Sequence, residues 1–162
     1  MNSELEAYFT AAEKVPGKPP DSKTRETEKA DFAARFLATA DSVLRPVLES
    51  TAETLRKHGY GAAVDFVRDQ SGSDPNTFPY LILHFSSERC PPSDLAYVYT
   101  LAGASVSFIC RRSDLCAEVV IAHPAARGIE RRVNFSTLAL AELTRDRANR
   151  IVTDAVRQII RS

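Results

Sequence analysis

Residues 95–121 narrow what this chain can fold into more than any other stretch. They alternate apolar and polar side chains and are broken by two turn signals, Ala102-Gly103 and Ser113-Asp114. Read as three antiparallel strands with two-residue loops, they set Leu101 opposite Ala104 and Arg112 opposite Leu115. One face then collects Leu95, Tyr97, Tyr99, Val106, Phe108, Cys110, Ala117, Val119 and Ile121. The other collects Ala96, Val98, Thr100, Ser105, Ser107, Ile109, Arg111, Cys116, Glu118 and Val120. A slip of one residue would break up the apolar face, so two independent turn signals support one sheet.

Two more strands precede this meander. Residues 61–69 put Val64 and Phe66 on one face, and residues 78–86 put Leu81, Leu83 and Phe85 there. Tyr80, Ile82 and His84 take the opposite face. Residues 129–135 offer a sixth strand, but no register joins them cleanly to the preceding one.

Helices flank the strands. Asp21 or Ser22 can cap a helix running to Lys57, with Phe32, Ala33, Phe36, Leu37, Ala40, Val43, Leu44, Val47, Leu48, Ala52 and Leu55 on a broad apolar stripe. Pro46 removes a backbone donor inside it, so the sequence predicts a kink near 42–46 or two helices meeting there. His58-Gly59 supplies a C-terminal stop. At the other end, Ser136 is placed to cap a helix, with Phe135 and Leu140 as its hydrophobic staple. The expected fold is α+β, with a long N-terminal helix, a five-stranded antiparallel meander sheet and an amphipathic C-terminal helix. Residues 1–20 read as a tail ending in a Pro-rich linker, and residues 21–162 as one α+β domain.

Function is far less legible. The chain has 162 residues and zero net charge, which offers no overall field for a polyanion. It contains no apolar run long enough for a membrane span and no secretory leader pattern, and its three cysteines are irregularly spaced. A reduced, cytoplasmic protein is expected. Cys110 and Cys116 fall on opposite faces and cannot share an ion, so no metal is expected. Cys116 lies across from Arg111, as near as any cysteine comes to an activated thiol, but no base stands beside it in the pattern. Gly59-Tyr60-Gly61 leads into a strand and is not a phosphate loop, and no Gly-x-Ser-x-Gly elbow occurs. No cofactor is expected, and the balance leans away from an enzyme.

Two features remain. The outer sheet face carries Ile82, Val98, Ile109 and Val120, and the tail carries Leu5, Tyr8 and Phe9. An apolar strip and an apolar tail suit protein contacts, so a regulatory or interaction module is expected, homodimeric and able to bind another protein. The alternative is nucleic-acid binding. Residues 126–162 hold a charge of +4, and Arg127, Arg131, Arg132, Arg147 and Arg150 are placed to meet phosphates.

Overall fold

The computed structural model describes residues 22–68, 79–89, 103–125 and 132–161. Its architecture is α+β. Helix α1 (Ser22–Thr39) runs through a π turn (Ala40–Leu44) into α2 (Arg45–Lys57). Five strands follow: β1 (Tyr60–Val67), β2 (Tyr80–Arg89), β3 (Gly103–Arg111), β4 (Cys116–Ala122) and β5 (Val133–Leu138). A 3-10 turn (Leu140–Glu142) then leads to α3 (Arg145–Arg161). The strands form one antiparallel sheet in chain order, β1-β2-β3-β4-β5.

The π turn is where Pro46 acts. With no N–H at Pro46, the ordinary ladder fails one turn upstream, and the helix widens. The Arg45 N–H donates to the Ala40 carbonyl, five residues back. Ser42 Oγ donates to the Ala38 carbonyl at 2.8 Å, which bends the same turn further. The apolar stripe survives this: Phe32, Phe36, Ala40, Leu44, Leu48, Ala52 and Leu55 are all buried. Gly59 ends α2 with φ +89°, the left-handed geometry that a glycine adopts without strain.

One sheet face packs against the helices. Leu81, Leu83, Phe85, Val106, Phe108, Cys110, Ala117 and Val119 are buried with Phe32, Phe36, Leu48, Val152 and Ile159 of the helices. These sheet residues are the ones that alternation assigns to the inner face, so parity holds in β2, β3 and β4.

Three expectations are corrected. The sequence predicts that residues 95–101 pair with the start of β3. Those residues lie outside the described ones, and the place beside Ala104–Cys110 belongs to β2, through Leu81↔Phe108 and Phe85↔Ala104. A local turn signal at Ala102-Gly103 therefore lost to a longer-range pairing. The second turn keeps its predicted register, Arg111↔Cys116, but not its two-residue loop. The turn covers residues 112–115, and among the described non-glycine residues positive φ falls on Leu115 alone (51°), whereas a tight type I′ loop would need it at Ser113 and Asp114.

The third correction concerns Ser136. It does not cap a helix, because 133–138 is strand β5, paired to β4 through Val119↔Ser136 and Val120↔Phe135. Thr144 caps α3 instead: its Oγ1 accepts the Arg147 N–H at 3.2 Å, and its carbonyl accepts the Ala148 N–H at 2.9 Å.

Candidate interaction surface

The outer face of the sheet is built from the residues that alternation points away from the helices. The strand registers arrange them in rows. Asp65, Ile82, Ser107, Val120 and Phe135 stand directly across from one another on the five strands. On one side of this row lie Val67, Tyr80, Ile109, Glu118 and Thr137; on the other lie Ala63, His84, Ser105, Ala122 and Val133. Three expected interface residues, Ile82, Ile109 and Val120, thus share one surface. Val98 and the tail residues Leu5, Tyr8 and Phe9 fall outside the described residues.

The charges on this face are internally matched. Arg111 donates to both carboxylate oxygens of Glu118, at 2.7 and 3.1 Å, in a fork geometry. His84 Nε2 lies 3.2 Å from Asp65 Oδ2. With Arg111 and Glu118 engaged with one another, the apolar side chains Ile82, Ile109, Val120 and Phe135 remain for a visitor to cover.

The part that sequence reading missed is the β5 end. Phe135 is 67% exposed and Val133 37%, two of the most exposed large apolar side chains among the described residues. Polarity along β5 is reversed relative to the other strands. Asn134 and Ser136 share the helix-side face with Val119 and Ile121, while Val133 and Phe135 share the open face with Val120. The sequence signal was present as alternation over 133–137, but it was apolar on the wrong face for a sheet covered only by its own helices.

Chemistry of the catalytic kind finds little support here. Burial pushes the Cys110 thiol up to about 11, opposed only partly by Arg112. Cys116 is also held above its ordinary value, first by desolvation and then by Asp114 and Glu118. Its neighbour Arg111 spends its guanidinium on Glu118, so the positive charge that would activate Cys116 is engaged elsewhere. Ser105 stands across from His84, yet that serine makes no side-chain hydrogen bond among the described residues, and the face around it is sheet rather than cleft.

Three of the five arginines expected to meet phosphate lie among the described residues. Arg127 and Arg131 lie outside the described residues. Arg132 is exposed just before β5, while Arg147 and Arg150 are exposed in the first turns of α3. No described helix is long and apolar enough to cross a membrane. Comparison with known family models, with curated proteins and with solved structures finds no match to this chain. The α+β fold by itself hosts many roles, so any functional reading must stand on the surface.

Proposed function

We propose that this protein is a non-enzymatic interaction module that associates with protein surfaces, a second copy of itself first among them, through the outer face of its sheet. One observation carries the reading. The central row of that face ends in Val120 and a largely exposed Phe135, on a surface where Arg111 and Glu118 are engaged with one another. Covering the apolar side chains of such a face gains about 25 cal/mol for each Å² of apolar surface removed from water.

The test is light scattering across a size-exclusion peak, over a wide range of protein concentration, with the ultraviolet spectrum recorded at low and high salt. The reading expects a protein-only spectrum and a mass that rises toward the dimer with concentration. The double variant Ile82→Asn, Phe135→Ser should lose the dimer while keeping its fold, since both side chains point away from the core. A monomer at every concentration would overturn self-association. Co-purified nucleic acid that leaves at high salt would instead favour the alternative, in which Arg127, Arg131, Arg132, Arg147 and Arg150 contact phosphate.

A further inference from the structure

The hydrogen-bond phase of the sheet identifies which main-chain groups β5 leaves open. The His123 N–H donates to the Arg132 carbonyl at 2.9 Å, so His123 and Arg132 form a hydrogen-bonded pair. Antiparallel pairing alternates, and the β4–β5 register has no shift. Asn134, Ser136 and Leu138 therefore turn their N–H and C=O groups toward β4. Val133, Phe135 and Thr137 turn theirs outward, along the edge of the sheet. The Cys110 N–H bonded to the Pro79 carbonyl at 3.0 Å shows the same alternation continuing on the other side of the sheet.

The two sheet edges are finished differently. At β1 a bulge between Tyr60 and Ala62 breaks the edge, and α2 packs beside the strand. Arg56 Nε donates to the outward-facing Ala62 carbonyl at 3.0 Å, and Asp65 adds a charge. These are devices that keep a strand edge from pairing with another chain. Among the described residues, β5 has none of them. The segment Val-Asn-Phe-Ser-Thr-Leu contains no charge, no proline and no bulge, and its outward-facing residues are also the ones on the apolar open face.

We infer that β5 pairs antiparallel with β5 of a second copy, about a two-fold axis through Phe135, to make a continuous ten-stranded sheet. This rests on the self-association proposed above and specifies its geometry. Among two-fold registers within Val133–Thr137, only the one centred on Phe135 engages every outward group. It sets Phe135 against Phe135 of the second copy and Val133 against its Thr137, with two hydrogen bonds in each pair. The two exposed phenyl rings then become cross-strand neighbours on the open face, and the pair Val120 and Phe135 continues into its counterpart on the second copy. With no charged residue in the paired segment, the register brings no like charges together. A second copy satisfies all these conditions at once, which is why it is favoured over an unrelated strand.

The experiment is amide hydrogen exchange on the full chain, followed by NMR at low and high protein concentration, with light scattering on two variants. Wild type should show alternating protection when dilute: slow at Asn134, Ser136 and Leu138, fast at Val133, Phe135 and Thr137. At dimer concentration the fast set should slow as well. Thr137→Pro removes an outward N–H, leaves the β4 ladder and the Phe135 ring in place, and should be monomeric with the slow set unchanged. Ile82→Asn should still dimerise, more weakly. A wild-type dimer that keeps its alternation, or a Thr137→Pro variant that still dimerises, would overturn the edge pairing. If Ile82→Asn were then the monomeric variant, face-to-face stacking would stand in its place. A wild type monomeric at every concentration would overturn both this inference and the reading beneath it.

Discussion

Ser86→Ala should destabilise the protein by about 1–3 kcal/mol through one hydrogen bond. The bulge between Tyr60 and Ala62 carries Gly61 off the main-chain ladder between β1 and β2. Its N–H donates instead to Ser86 Oγ at 2.9 Å, with both residues buried and Ser86 wholly so. Alanine keeps the Cβ and deletes the acceptor, leaving a buried N–H without a partner; that desolvation cost is about 1–3 kcal/mol. Total stability for such a chain is about 5–15 kcal/mol, so the loss is easily resolved. With a urea slope of about 2 kcal/mol per molar, the midpoint should fall by roughly 0.5–1.5 M with the slope unchanged. Equilibrium unfolding followed by far-ultraviolet circular dichroism measures this. Ser107→Ala is the control. Ser107 is nearly as buried, but it sits between Ile82 and Val120 with no side-chain hydrogen bond among the described residues, and its loss should stay within about 0.5 kcal/mol. Equal midpoints for Ser86→Ala and wild type, with Gly61 still protected from exchange, would refute the role given to Ser86.

Other consequences follow from the same geometry. Leu115 holds φ 51°, so Leu115→Gly should raise stability by about 0.5–1 kcal/mol, the relieved strain exceeding the chain entropy that glycine adds; a lower urea midpoint would count against it. Thr144→Ala removes the α3 cap and should lower stability by about 1 kcal/mol in the same assay. His123 is pushed below its ordinary value by desolvation and then by Arg132, and its Nε2 lies 3.2 Å from Asn134 Nδ2, an amide donor that a protonated ring could not accept from. The folded state thus binds this proton less readily than the unfolded chain. Its contribution is fully present above the unfolded value near 6.5 and is lost as pH falls through the lower folded value. His123→Gln should flatten the pH dependence of stability on the acid side of 6.5, and an unchanged slope would refute the assignment. Cys110, buried and shifted to about 11, should react with a thiol reagent at neutral pH only as fast as the protein unfolds, which mass spectrometry of labelled peptides can follow.

What could be read from the sequence, and what could not, has a common cause. Alternation fixes only the parity of a strand, and parity was right wherever one face is sealed by helices. Phe108, Cys110, Ala117 and Val119 all lie on the buried face that pattern assigns them, even though the loop between β3 and β4 is longer than the sequence suggests. The interruption of the α-helical ladder near 42–46 was legible because Pro46 acts locally, through a donor that its own ring removes; it takes the form of a π turn. Strand neighbours were not legible in the same way. Ala102-Gly103 is a sound turn signal, but the choice of β2 as the partner of β3 depends on residues some twenty positions earlier in the chain.

The misreading of β5 is of another kind and bears on function. Ser136 looks like a helix cap, and Phe135 like a staple, only if Phe135 must be buried within this chain. The register of β5 frees it from that requirement and turns it to the open face, beside outward main-chain groups on an uncharged edge. A pattern that fails as part of a one-sided core becomes consistent once a second sheet continues from the edge, because the open face is then apolar where two copies meet. The anomaly that kept this strand from finding a register in sequence reasoning is therefore also the strongest physical reason to look for the protein's partner there.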